Sequence, residues 1–123
     1  MEWKLTDDRP IWSQLSDLVA SQIAAGVYGP GERLPSVREL AAEAGVNPNT
    51  MQRAITQLET LGLVTTNRTL GRTVTENAEA LEEMRRRLAV ECAESYFKEM
   101  GALGYSRGEA ADMAQAERDR NDE

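Results

Sequence analysis

The chain has 123 residues, 41% of them hydrophobic and 28% charged, with a net charge of −7. That composition fits one domain, or a small domain plus an extension, with enough chain to bury a core. There is no histidine and only one cysteine, Cys92, which excludes His-based catalysis, His metal ligation, internal disulfides and Cys clusters.

The first helix is expected to start at Pro10, whose missing N–H costs nothing in a first turn. Ile11, Leu15, Leu18, Val19 and Ile23 recur at helical spacing, and Gly26 is the expected stop. Residues 28–32 form a turn-rich loop, and Arg33-Leu34-Pro35 reads as a short extended piece. Ser36 with Glu39 is a capping box that opens a second helix, which runs through Leu40, Ala41 and Ala44 to Gly45. Val46 bridges the turn. A third helix follows, with Asn47 as N-cap and Pro48 at the first position. Its apolar stripe is Met51, Ile55, Leu58 and Leu61, and Gly62 is the expected left-handed cap.

After Gly62 the period changes. Residues 63–66 and 72–75 are β-branched runs around a turn at 67–71, which predicts a hairpin that needs outside packing. Residues 78–100 return to helix. Leu81, Met84, Leu88 and Cys92 line one face, and Val90, Ala93, Phe97 and Met100 line an adjacent one. Gly101 and Gly104 break the helix. A second capping box, Ser106 with Glu109, opens a last helix around 110–116, and residues 117–123 are expected to fray. The expected core positions are Leu34, Leu40, Val46, Ile55, Leu58, Val64 and Val74. Trp3 and Trp12 read as packing residues, and Cys92 as a small buried hydrophobe.

Two helices joined by a short glycine turn and followed by a hairpin give the order of a winged helix-turn-helix. The expected fold is therefore mostly α with a small β-hairpin: a winged domain over residues 1–76, then a helical dimerisation tail over 77–123. Helix three would present its first turns to the major groove, where base edges carry a full hydrogen-bonding code. Asn47, Asn49, Thr50, Gln52 and Arg53 stand there with polar side chains. Arg68 and Arg72 are expected at the tip of the hairpin, where they suit a narrow minor groove. Residues 1–76 hold seven basic and nine acidic residues, and residues 77–123 hold seven and twelve, so the acid is concentrated in the tail.

Three stretches carry a resemblance: Pro10-Ile11-Trp12-Ser13-Gln14-Leu15, then residues 31–41 (GERLPSVRELA), then residues 45–50 (GVNPNT). They resemble the DNA-binding domain of GntR-family transcription regulators over about residues 9–75, and the short helical tail is similar to the YtrA-like branch. The resemblance implies a homodimer on a pseudo-palindromic DNA operator, usually as a repressor. By position, Arg38 looks like the family's DNA-contacting helix-two arginine. Asn47, Asn49 and Thr50 match the start of the recognition helix, and Gly71 matches the second wing glycine, with Thr69 where the first often stands. The 47 residues after residue 76 are too few for a large ligand-binding domain.

Each role has a plainer counterpart. Arg38, Gln52 and Arg53 could be solvated helix surface, Asn47 only a cap, and Arg68 and Arg72 ordinary turn residues. Arg85-Arg86-Arg87 could pair with Glu82, Glu83 and Glu91 or meet a partner subunit. The wide apolar surface of the tail calls for self-association through Leu81, Met84, Leu88, Cys92, Phe97 and Met100. A winged-helix module for protein contacts, without DNA, is the alternative that the net charge favours. An enzyme is not expected. The sequence points to no cofactor and assigns no small-molecule effector. No apolar run reaches the ~20 residues that span a bilayer, and no secretory signal opens the chain, so a cytoplasmic protein without membrane contact is expected.

Overall fold

A computed structural model describes residues 2–121. In chain order it contains α1 (Ile11–Ala24), α2 (Val37–Ala44), α3 (Pro48–Thr60), β1 (Val64–Asn67), β2 (Gly71–Val74), α4 (Ala78–Ala102) and α5 (Arg107–Asn121). The chain divides into two compact units, Met1–Arg85 and Arg86–Glu123. The division falls inside α4, further along than the boundary at residue 76 expected from the sequence. Among the described residues no helix is long and apolar enough to cross a membrane.

In the first unit α3 is the central element, with α1, α2 and β1 all packing against it. Leu15, Val19 and Ile23 of α1, Leu40 of α2, and Met51, Ala54, Ile55 and Leu58 of α3 are buried, joined by Leu34, Val64 and Val74. One stripe position and one expected core position differ from expectation. Leu61 is 48% exposed because α3 ends at Thr60 and Leu61 is already its C-cap. Val46 is half-buried, its N–H bonded to the Ala41 carbonyl at 3.0 Å.

Gln14 has a role that periodicity does not announce. Its side chain is buried, its Nε2 donates to the carbonyls of Thr6 and Arg9 at 2.8 Å each, and its Oε1 accepts from the Thr6 N–H at 2.7 Å. One amide thereby ties the N-terminal segment to α1 with every strong partner satisfied.

The hairpin is antiparallel, with Val64 opposite Val74 and Asn67 opposite Gly71. Its outer edge is covered rather than open. Leu34 N–H donates to the Arg72 carbonyl, and Val74 N–H to the Glu32 carbonyl, both at 2.9 Å, with a bridge between Arg33 and Thr73. The extended piece expected at Arg33-Leu34-Pro35 therefore supplies a third strand-like partner, which answers the instability of an isolated two-stranded ribbon.

The second unit is thin. The Tyr96 hydroxyl donates to the Ala110 carbonyl at 2.6 Å, Arg107 lies 4.2 Å over the Phe97 ring, and Arg107 pairs with Glu94 at 3.3 Å. Ser106 and Glu109 form the expected reciprocal capping box, at 3.1 and 2.9 Å. The hydrogen bonds from the Ser106 backbone and side chain hold the Glu109 carboxyl below the usual range. Within this unit Ala110 is the one buried residue among those described. Helix α4 passes through Gly101 and stops before Gly104, which adopts φ +98. Helix α5 runs to Asn121, well past residue 116, because residues 109–120 are mostly strong helix formers and Arg118 and Arg120 suit the last turn. Of the segment expected to fray, residues 122 and 123 lie outside the described residues.

Two dimer-face residues differ from expectation. Met84 is 3% exposed and already buried within the chain. Cys92, expected to be a small buried residue, is exposed. Leu81, Leu88, Phe97 and Met100 are half-buried.

Leu58→Ala is expected to lower unfolding free energy by about 2–5 kcal/mol. Leu61→Ala is expected to change it by less than about 0.5 kcal/mol. Urea denaturation of the two variants checks the assignment, and equal losses would contradict it.

Candidate nucleic-acid interface

The interface begins with the turn that aims α3. Gly45 caps α2 in the left-handed region, at φ +72, where a side chain would be strained. Ser36 at the other end of α2 accepts the Glu39 N–H at 3.1 Å, and its hydroxyl donates to Glu39 Oε1 at 3.2 Å. This places Arg38 in the first turn of α2, exposed and without an ion-pair partner among the described residues.

Asn47 is the N-cap of α3, its Oδ1 accepting the Asn49 N–H at 2.8 Å. Pro48 has no N–H, and the Thr50 and Met51 N–H groups return to the Asn47 carbonyl at 3.0 and 3.2 Å. The first turn is thus satisfied internally, and what it offers outward is side chains. Asn49 and Arg53 are exposed, while Thr50 and Gln52 are half-buried. Gln52 Nε2 donates to Thr56 Oγ1 at 3.2 Å. The Arg53 guanidinium lies 4.3 Å from the centroid of Trp12 on α1, a cation–π contact that leaves its N–H edges available. Trp12, expected only as packing, is therefore a platform for Arg53. An aromatic residue on α1 gives no sequence signal for this, because the pairing depends on how α1 crosses α3.

The charge question resolves locally. No acidic residue occurs between Glu43 and Glu59, so α3 carries no negative side chain before Glu59 in its last turn, and Arg53 is its one cation. The potential a ligand meets is set by nearby groups within a Debye length of about 10 Å, not by the chain total.

The wing separates its two arginines. Asn67 Oδ1 accepts the N–H groups of Thr69 and Leu70 at 2.9 and 3.1 Å, and Gly71 follows at φ +84. The tip is closed by Asn67, with Thr69 where the resemblance has its first glycine. Arg68 is exposed at the tip without an ion-pair partner among the described residues. Arg72 is not at the tip. It lies in β2 opposite Thr66 and bonds Glu59 of α3 at 2.6 Å, both side chains about 30% exposed. In the tail, Arg87 pairs with Glu91 at 3.5 Å, one of the pairings expected for the arginine run. Tyr28 is the other group with shifted acidity. Burial, then the charges of Glu43 and Glu32, raise its phenol above the ordinary value.

These elements can be compared with known proteins. The family described as "Bacterial regulatory proteins, gntR family" matches residues 12–74, from α1 to the end of the wing. The chain belongs to the gntR family. It is 37% identical over 109 residues to the HTH-type transcriptional regulator YhcF of Bacillus subtilis, covering 89% of this chain and 90% of that one. It is 41% identical over 69 residues to the HTH-type transcriptional repressor YtrA of the same organism, covering 56% of this chain and 53% of that one. Among solved structures it is similar to a GntR-family regulator from Listeria monocytogenes, with TM-score 0.77 and 32% identity over 91% of this chain and 98% of that one. It is also similar to the DNA-binding domain of AraR in complex with an operator, with TM-score 0.54 and 25% identity over 58% of this chain and 93% of that one. The chain is thus a DNA-binding transcriptional regulator with a winged helix-turn-helix domain and C-terminal helices, and not an enzyme.

Asn47→Ala is expected to cost about 0.5–2 kcal/mol of stability, whereas Asn47→Asp keeps the cap and most of the stability. Thermal unfolding of both variants checks this, and equal losses would mean that the side-chain cap contributes nothing.

Proposed function

We propose that this regulator acts as a repressor in the cytoplasm, binding a pseudo-palindromic operator as a homodimer. The observation that carries DNA reading is the acid-free first turns of α3, together with two exposed arginines, Arg38 and Arg68, that have no ion-pair partner among the described residues. Asn49, Thr50, Gln52 and Arg53 face base edges from the start of α3. Asn47 can add its free Nδ2 while its Oδ1 caps the helix. Arg38 and Arg68 meet phosphates or the minor groove, where cations release bound counterions. Repression is supported by the name of the YtrA relative.

Self-association rests on the tail. Val90 is 55% exposed and Leu103 74% exposed, in a unit with a single buried side chain among those described. Large apolar groups left in water on so thin a unit favour burial against a second copy. Leu81, Leu88, Cys92, Phe97 and Met100 remain the proposed dimer face, joined by Val90, while Met84 serves the interior of its own chain. Two-fold symmetry then sets two α3 helices one or more DNA turns apart, about 34–36 Å per turn.

Fluorescence anisotropy with DNA from upstream of the gene, a scrambled duplex and a salt series tests DNA reading. Preference for the native duplex, weakening steeply with salt, is expected. Arg38→Glu should weaken it roughly tenfold to a hundredfold, and Asn47→Asp should weaken it while leaving stability intact. No binding at low salt would overturn the proposal and favour a protein-contact module. Sedimentation should give twice the chain mass of 13.6 kDa, and a monomer at micromolar concentration would overturn the dimer.

A further inference from the structure

Arg72 and Glu59 are brought together across the turn that separates the recognition helix from the wing. Glu59 occupies the last turn of α3, and Arg72 sits in β2, thirteen residues on. Their 2.6 Å contact between Arg72 Nε and Glu59 Oε1 is among the most sheltered ion pairs of the described chain, with side chains 29% and 30% exposed. The other ion pairs are more open, such as Arg107 with Glu94 at 66% and 61%. The backbone of the same residue is fixed as well, since the Arg72 carbonyl accepts the Leu34 N–H at 2.9 Å. Next to it, the Thr65 and Thr73 hydroxyls meet at 3.2 Å across the hairpin.

We infer that the Glu59–Arg72 pair is a brace that fixes the wing against the recognition helix, so that Arg72 is a positioning residue and the wing's contact with phosphate falls to Arg68. The inference rests on the DNA-reading function proposed above and adds a division of labour within the wing. Glu59 takes the Arg72 Nε and offsets its charge, which leaves for phosphate only the Nη groups of a charge-compensated, part-buried guanidinium, whereas Arg68 has no ion-pair partner among the described residues. The hairpin has only four residues per strand, and so short a ribbon depends on outside contacts for its pose. The brace supplies one from the helix whose angle to the wing governs simultaneous contact with two grooves.

The test has two parts. In the free protein, amide hydrogen exchange of residues 64–74 is measured for wild type, Glu59→Gln and Arg72→Gln. Both variants should exchange faster throughout the wing while α1 and α3 stay protected; unchanged wing protection would overturn the brace whatever the DNA result. On the duplex that wild type prefers, Glu59→Gln and Arg72→Gln should weaken binding to a similar extent with no change in the slope of log affinity against log salt. Arg68→Gln should lower that slope by about one, the share of a single phosphate contact. The reversed pair, Glu59→Arg with Arg72→Glu, should recover most of the affinity lost by Arg72→Glu alone. Tighter binding by Glu59→Gln, or a slope loss in Arg72→Gln equal to that in Arg68→Gln, would mean that Arg72 holds phosphate and would overturn the inference. Absence of any preferred duplex for wild type would count against the DNA reading alone, and the exchange measurement would still decide the brace.

Discussion

Helix α3 buries Met51, Ala54, Ile55 and Leu58 on one side and carries Asn49, Thr50, Gln52 and Arg53 away from that stripe. Thirteen residues therefore serve as the main core element of the head and carry the proposed reading surface. The helical period makes this possible, because apolar residues at steps of three and four leave the intervening positions outside. It also ties function to stability. A change that rotates or frays α3 moves the contacts with α1, α2 and β1 together with every side chain proposed to face DNA. Gly45 and Asn47 set where that helix begins, and Gly62 and Glu59 mark where it hands over to the wing.

Charge follows the same division. The chain is acidic as a whole, but its acids in the head lie at or before Glu43 or from Glu59 onward, and several are engaged locally. Asp17 pairs with Arg9, Glu43 accepts from Trp3 Nε1, Glu39 closes the α2 cap, and Glu59 holds Arg72. A net charge of −7 is compatible with nucleic-acid binding when the first turns of α3 hold no acid and the acidic excess lies in the tail.

Local chemistry made most of the head legible in the sequence. Capping boxes, the Gly45 turn, the Asn47-Pro48 start and the shift to β-branched residues each act over a few residues, and the elements fall within one or two residues of where those signals put them. Contacts between distant segments were not legible. Gln14 clamping the N-terminal segment, Trp12 beneath Arg53 and Glu59 against Arg72 depend on how elements cross, and no periodicity records that. The wing arginines show the cost most clearly: both stand near the turn in sequence, yet one is free and the other held. In the tail, helix α5 ran longer than expected because helix propensity sustained it without a core, and Gly101 was absorbed because one glycine costs only about 1 kcal/mol in a helix.

Arg38, the start of α3 and the wing tip are proposed to form one DNA-reading surface. Backbone amide chemical shifts recorded while a duplex from upstream of the gene is titrated into the protein test it most directly. The largest changes are expected on Arg38, on residues 47–53 and on Arg68, with a smaller response at Arg72. Changes confined to the tail, or spread evenly over the head without those residues, would contradict it.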